Sequence, residues 1–343
     1  MRIVIKKTRA AILSKLNQDL VIDKILMPKN LLEGQVLVKM IYSGVCGSQL
    51  GEIQGIKGPD KFLPHLLGHE GIGRVLQIGP KVKKVKKNNL VLLHWMKGSG
   101  FNAAPPKYYW RDKVLNAGCL TTFNEHAVVA ENRLTKINNK KINPLTSLFG
   151  CTMSTAIGSV KNLCKIKNEN KVLVIGCGPI GLAIIKYLKF IKIEEIYAID
   201  IDQKKLLLAK KYGATKTYKN KKNNISDVSN LDFIFECTGN TSIITSAFEQ
   251  LNSQGTLILI GVPFFKNRAK FNTLDINLGK KILGSKGGQF NVNRDLKTFI
   301  KIVNSKMFNK YNYKLNIFKF SQINKIFKLM KNKKLTGKAI IKF

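Results

Sequence analysis

Three residues with metal-ligand chemistry stand in three glycine-rich turns. Cys46 lies in Gly44-Val45-Cys46-Gly47-Ser48, His69 in Gly68-His69-Glu70-Gly71, and Cys151 in Gly150-Cys151-Thr152. They are far apart in the chain, so their spacing alone carries no information. What singles them out is their local setting, each a ligand-type residue in a glycine-rich turn. The competing reading of any single such cysteine is a small buried apolar residue. His65, four residues before His69, reads as a loop residue, and His126 as a structural one.

A second cluster is local. Gly176-Cys177-Gly178-Pro179-Ile180-Gly181 fits the G-x-G-x-x-G of a dinucleotide-binding turn. An apolar strand ends at Gly176 and a helix opens at Pro179. The first glycine permits the tight turn, the second lets the backbone approach a pyrophosphate, and the third lets helix and strand pack closely. Asp200 follows at the end of the next strand. A carboxylate there accepts from the adenine ribose hydroxyls and repels a 2′-phosphate, which favours NAD over NADP. Lys204 and Lys205 keep NADP open as the alternative; Lys205 otherwise reads as a donor to the same ribose. The ends of the next two strands, Thr238 with Gly239 and Ile260 with Val262, are further candidates for cofactor contact.

The elements that must position these residues fall into two textures. Up to about residue 150, short apolar runs such as 11–13, 20–22, 36–38, 90–93 and 127–130 lie between Gly, Asn and Pro, as in an antiparallel, barrel-like or sandwich-like domain. Beyond it, strands at 171–176, 194–200, 231–239 and 255–262 alternate with helices at 179–190, 203–212 and about 241–251. Gly213 is the stop of the second helix. That alternation predicts a parallel sheet with right-handed crossovers. After about residue 285 come two lysine-rich amphipathic helices and a last strand from Lys338. Residues 218–224, Tyr-Lys-Asn-Lys-Lys-Asn-Asn, read as a solvated loop.

The order of motifs — thiolate turn, Gly-His-Glu, third ligand, dinucleotide turn, acidic strand end — covers essentially the whole length. It resembles the zinc-dependent medium-chain alcohol dehydrogenase family of the medium-chain dehydrogenase/reductase superfamily. The resemblance implies an α/β fold: a GroES-like β-rich catalytic domain at 1–150, completed by 286–343, and a Rossmann domain at 151–285. It implies that Cys46, His69 and Cys151 hold one catalytic zinc, with Glu70 behind the ligand His69. It gives the Ser48 hydroxyl the role of taking the alcohol proton. The implied reaction moves a hydride between an alcohol, or its aldehyde or ketone, and NAD(H). The resemblance puts His94 and Trp95 in the substrate pocket, His94 as a donor to a substrate oxygen and Trp95 as a narrowing wall. Their competing readings are a satisfied strand-end histidine and ordinary core packing. Family members are homodimers or homotetramers.

Several positions depart from the family pattern. Gly51 stands where a histidine often ends the proton relay, so the relay ends on water or another group, with Glu52 a candidate. Gly47 replaces a basic residue that often touches the pyrophosphate. Between residues 90 and 130 only Cys119 remains of the four cysteines that hold a structural zinc elsewhere, so no structural zinc is expected. In its place is 97–113, rich in Gly, Pro and aromatic residues.

Composition narrows the remaining classes. The chain has 343 residues, 44% apolar and 23% charged, which suits two globular domains. A formal charge of +39 would suggest nucleic acid, but 52 of the 59 basic residues are Lys, and they are spread along the chain. Phosphate-reading surfaces use Arg and cluster their charge, so no nucleic-acid partner is expected. The N-terminus has no signal-peptide core. The longest apolar run, 172–185, is interrupted by glycines and a proline and closed by Lys186, so no membrane partner is expected. Six cysteines without a Cys-x-x-Cys pair argue against a disulfide framework and for a reducing, cytoplasmic compartment. Two rival functions stay in view. One is a polyol, sugar or amino-alcohol dehydrogenase of the same fold, which the missing relay histidine favours and Cys151 disfavours. The other is a non-catalytic nucleotide-binding protein with a basic RNA-binding surface, which has no use for an open metal position.

Overall fold

The computed structural model describes residues 1–137, 142–220, 225, 228–309 and 312–343. The chain forms two compact units. One comprises Met1–Cys151, Asn291–Ile300 and Leu315–Phe343; the other comprises Thr152–Phe290 and Lys301–Lys314.

The first unit is organised around the strand Gln35–Gly44, whose first four residues are all buried. One edge pairs with Glu70–Ile78. The other edge is shared by His126–Ala130 and by Lys338–Lys342, a strand from the far end of the chain. All three pairings are antiparallel. Leu90–His94, Leu134–Lys136 and Leu315–Lys319 complete a seven-stranded sheet, and Lys7–Leu13 belongs to a second sheet of five. Val36, Val38, Val75, Val91, Val129 and Leu134 form one core cluster. Each such side chain contributes about 1.5–3 kcal/mol on burial. The register sets Gly71 opposite Ser43 and Ile340 opposite Gly44. The turn carrying His69 therefore lies beside the turn carrying Cys46, with the last strand alongside.

The second unit is a six-stranded, all-parallel sheet in the order Lys216–Lys219, Glu195–Asp200, Lys171–Ile175, Leu231–Glu236, Leu251–Leu259, Lys281–Gly284. Strand order reverses at Lys171–Ile175, the point at which open α/β sheets bind ligands beyond their carboxyl ends. The helix Pro179–Phe190 starts three residues past the first glycine of the fingerprint, with Pro at its first position and Gly178 as N-cap. The helix Gln203–Tyr212 is capped by Asp202 and stopped by Gly213 at φ 124°.

Three expectations change. The strand Lys216–Lys219 takes in the start of the stretch read as a solvated loop, because Thr217 and Tyr218 pair with Ala198 and Ile199; residues 221–224 of that stretch lie outside the described residues. The third helix of the alternation ends earlier, at Thr241–Glu249. The C-terminal stretch holds more than two helices and a strand. Besides Val292–Asn304, Ile323–Lys331 and Lys338–Lys342 it has a short helix Lys306–Asn309 and the strand Leu315–Lys319. Part of it packs with the parallel-sheet unit: Tyr313 Oη donates to the Pro179 carbonyl at 2.5 Å, and Lys314 N donates to Tyr212 Oη at 2.7 Å. Among the described residues no helix is long and apolar enough to cross a membrane.

Candidate active site

Cys46, His69 and Cys151 each offer one ligand atom, and these atoms all lie within 4.8 Å of one another. Cys46 is the N-cap of the short helix Gly47–Ile53, and Gln49, three residues on, holds the turn. Gln49 is fully buried; its Oε1 accepts from Cys46 N at 2.7 Å and its amide reaches His69 Nδ1 at 2.5 Å. One side chain thus fixes two of the three ligands, and Nε2 is the ring nitrogen left over. That Nε2 is buried and makes no hydrogen bond of good geometry among the described residues. The Cys151 thiol and the His69 ring hold the Cys46 thiol well below its usual range despite burial. The same contact with Cys46, together with burial, pushes Cys151 up. Burial acts to lower the His69 pKa, but the neighbouring Cys46 sulfur and Glu70 together raise it, and the net shift is upward. Two sulfurs beside an imidazole nitrogen that has no hydrogen bond of good geometry among the described residues fit a zinc ion.

Glu70 is buried against this set and pairs with Lys338 Nζ at 2.5 Å, both side chains at most 1% exposed. Two glycines leave it room. A Cβ at Gly44 would fall 2.4 Å from Glu70 Oε1, and one at Gly150 would fall 2.7 Å from Glu70 Cβ. Burial alone would lower the Lys338 ammonium, but Glu70 and the two thiols raise it. The ion pair therefore keeps a cation and an anion at the metal position at once.

Ser48 Oγ is buried with no hydrogen-bond partner among the described residues. Gly47 faces open space, with no atom within 4 Å of a Cβ placed there. Gly51 has no such room: a Cβ would fall 2.5 Å from Ile56 Cδ1. Glu52 lies 3.7 Å from Lys57 Nζ in a partly exposed pair.

The substrate-donor reading of His94 does not survive. Its ring is fully buried, with Nδ1 on the Met96 carbonyl at 2.8 Å and Nε2 on Thr135 Oγ1 at 3.0 Å. Burial pushes its pKa down to about 4. It is a neutral, satisfied core histidine. Trp95 is half-buried, and its main-chain N–H donates to the Gly150 carbonyl at 3.3 Å, next to Cys151. His65 pairs with Asp60 at 2.8 Å and His126 with Thr8 at 3.2 Å, so neither joins the metal set.

In the parallel-sheet unit Gly176 takes φ +89°. A Cβ at Gly181 would fall 2.0 Å from the Gly176 carbonyl oxygen, whereas one at Gly178 would meet nothing within 4 Å. The turn is therefore closed beneath and open above Gly178, where a pyrophosphate would lie. Pro179 and Ile180 open the helix there and are half-buried. Asp200 holds the turn from the next strand: its Oδ2 accepts from Cys177 N at 2.7 Å and its Oδ1 from Asp202 N at 2.9 Å. Each oxygen retains a lone pair for another donor. Lys205, on the first turn of Gln203–Tyr212, is half-buried and near enough for its charge to act on the Cys177 thiol. Thr238 and Val262 are exposed, Ile260 is half-buried and Gly239 buried.

Three residues of this machinery carried no separate weight in the sequence. Gln49 could have been found, because Cys46-x-x-Gln49 has the spacing of a capping box. Lys338 could not: it is one lysine among 52. Glu236, discussed below, was read only as part of a strand.

Residues 32–139 match the family described as alcohol dehydrogenase GroES-like domain, and residues 179–305 the one described as zinc-binding dehydrogenase. S-(hydroxymethyl)glutathione dehydrogenase of Escherichia coli (strain SMS-3-5 / SECEC) is 32% identical over 272 residues, covering 67% of this chain and 71% of that protein. Benzyl alcohol dehydrogenase from Acinetobacter calcoaceticus has a similar structure, with TM-score 0.85 and 23% identity over 99% of this chain and 100% of that one. So does acetophenone reductase from Geotrichum candidum NBRC 4597 in complex with NAD, with TM-score 0.82 and 20% identity over 99% and 98%. These two likenesses speak for the fold.

Proposed function

This chain belongs to the zinc-dependent alcohol dehydrogenase family, and on that premise we propose that Cys46, His69 and Cys151 hold one catalytic zinc and that Ser48 takes up the proton of the alcohol. The chain performs NAD-linked oxidoreduction between alcohols and carbonyl compounds. A zinc held by Cys46, His69 and Cys151 would supply Lewis acidity, and NAD held at the Gly176–Gly181 turn would supply the hydride chemistry. The chain's own residues do the rest. Gln49 orients the His69 ring through Nδ1 and leaves Nε2 for the metal. Glu70 and Lys338 seal the inner side of the site against water. Ser48 Oγ, buried and unpartnered, is free to accept a proton and pass it outward. With Gly51 in the next turn of the helix, the proton leaves by way of water. Trp95 bounds the space for the substrate next to Cys151.

The remaining elements of the reading rest on narrower support. Asp200 favours NAD over NADP. One zinc per chain follows from the single cysteine, Cys119, between residues 90 and 130. The segment near 97–113 is tied by other means: Glu131 accepts from Lys83 N and Lys84 N, both at 2.6 Å, and from Phe101 N at 2.7 Å. Six free cysteines support a reducing, cytoplasmic setting. The dispersed lysines support a small-molecule substrate with no nucleic-acid or membrane partner, and the family supports a homodimer or homotetramer.

The observation that carries this reading is His69 Nε2, buried without a hydrogen bond among the described residues within 4.8 Å of two sulfurs, together with the buried, unpartnered hydroxyl of Ser48 two residues past Cys46. Ser48→Ala tests it. The variant should keep about one zinc per chain by elemental analysis and bind NADH as wild type does. Alcohol oxidation should fall by roughly 10²–10⁴-fold, the contribution of a positioned acid–base group, with the greatest deficit at low pH. An unchanged rate and pH profile with zinc bound would remove Ser48 from the proton path.

A further inference from the structure

Three turns meet at the carboxyl end of the parallel sheet, and none has side-chain bulk to hold it. A Cβ on Gly176 would fall 2.9 Å from Thr238 Cγ2; one on Gly239 would fall 2.6 Å from the Val262 carbonyl oxygen; one on Gly261 would fall 2.1 Å from Gly239 N. The turns at 237–239 and 260–262 are thus in backbone-to-backbone contact, and the Gly176 turn lies against the Thr238 side chain. Such a junction holds its shape only if its polar groups are tied down.

Glu236 does this from the end of the strand Leu231–Glu236. Its side chain is fully buried and curls over its own turn. Oε1 accepts from Thr238 N at 2.6 Å, from the Thr238 hydroxyl, and from Gly239 N at 3.1 Å; Oε2 also accepts from Gly239 N at 3.1 Å. Its main-chain carbonyl accepts from Ile260 N at 2.8 Å and Gly261 N at 3.0 Å. Thr238 Oγ1 in turn accepts from Asn240 N at 3.1 Å, and Asn240 caps the helix Thr241–Glu249. One residue therefore governs two of the three turns.

A second observation separates this carboxylate from ordinary structural packing. Among the described residues no cationic side chain forms an ion pair with Glu236. Burying an anion on neutral donors alone is costly, and an apolar residue would serve a purely structural strand end better. Asp200 does the matching task on the other neighbour of the fingerprint strand, through Cys177 N. Two buried carboxylates thus bracket Lys171–Ile175, each ordering a turn that faces the space above Gly178.

We infer that Glu236 is a positioning residue for the dinucleotide: its carboxylate sets the Thr238–Gly239 turn, on which the Gly261 turn packs, in the arrangement that receives the cofactor. This rests on the reading of the fingerprint as an NAD site. NADH binding to the zinc-loaded wild-type protein, by fluorescence titration, tests that reading by itself. Glu236→Gln and Glu236→Asp then test the inference. Gln presents an N–H to donors that need an acceptor. Asp keeps the charge but retracts the oxygens from Thr238 and Gly239. Both variants should keep about one zinc per chain. NADH affinity should fall about tenfold or more, the scale of losing one charge-assisted hydrogen bond. The KM for NAD should rise by a similar factor and the KM for alcohol should not move. Amide exchange at 237–240 and 260–262 should speed up while that of 195–200 stays slow. Wild-type NADH affinity in a folded Asp or Gln variant would overturn the inference. Failure of both variants to fold would assign the carboxylate to the fold instead, and would overturn it too.

Discussion

The metal set is gathered from positions 46, 69 and 151 and backed by position 338, whereas the dinucleotide turn does its work between 176 and 181, with Asp200 one strand away. Both regions bury ionised groups, but they compensate them differently. Around the metal set a full ion pair, Glu70 with Lys338, sits at the centre of the unit. Around the dinucleotide turn the carboxylates rest on backbone amides, Glu236 on those of its own turn and Asp200 on Asp202 N and on Cys177 N of the neighbouring fingerprint turn. A locally compensated site survives loss of distant structure. A site compensated by a distant strand fails as a whole when that strand is altered.

The largest effect should come from cutting the long-range tie. Lys338→Met leaves Glu70 buried without its cation, and breaking a buried pair costs about 3–5 kcal/mol. Urea unfolding should show the loss in the catalytic unit together with lower zinc retention, while NADH binding persists. Adding Glu70→Gln should recover most of the stability. If Lys338→Met alone is neutral, the ion pair is not what holds the metal set.

A smaller, pH-dependent loss should separate the units next. The pKa of His94 is about 4 in the folded chain against an ordinary 6.5. The unfolded chain takes up this proton first as pH falls, so the contribution of neutral His94 is complete above about pH 6.5 and disappears towards pH 4. The difference amounts to about 3 kcal/mol at most. Urea midpoints at pH 7 and pH 4.5 should converge in His94→Gln relative to wild type. An identical pH dependence in both proteins would place the acid sensitivity elsewhere.

The smallest stability effect belongs to the local site. Gly178→Ala adds a methyl where no protein atom lies within 4 Å, so thermal stability should stay within about 0.5 kcal/mol of wild type. NADH affinity should nevertheless fall several-fold, because the methyl takes the space left for the cofactor. Equal affinity would show that the dinucleotide does not approach this glycine.

The same contrast explains what could be read from the residues alone. Helix Pro179–Phe190 and the strand ending at Asp200 were legible because strand, turn glycines and helix cap are adjacent in the chain. The ligand turns at Cys46, His69 and Cys151 were legible only through the order of motifs along the whole length. Lys338 was not, because its partner is decided by a register, Ile340 opposite Gly44, that no local pattern encodes. His94 was placed in the pocket by the resemblance; its competing reading, a satisfied strand-end histidine, is the one its partners support, because Met96 just beyond the strand and Thr135 on a neighbouring strand take its two ring nitrogens.

The place of the strand Lys338–Lys342 has a consequence for synthesis. Residues 42–44 and the Glu70 carboxylate wait for that strand while the intervening parallel-sheet unit is made. At bacterial to eukaryotic elongation rates, the interval between Cys151 and Lys338 lasts roughly 10–40 s. During it the nascent chain carries an open β-edge and an uncompensated anion, a state that invites wrong pairing. The three ligands already exist by then, but the pocket that should close round them does not. Stable insertion of a metal at Cys46, His69 and Cys151 would therefore be a late event in the life of this polypeptide, and a ribosome stalled within the parallel-sheet unit would leave these thiols without the strand that closes round them.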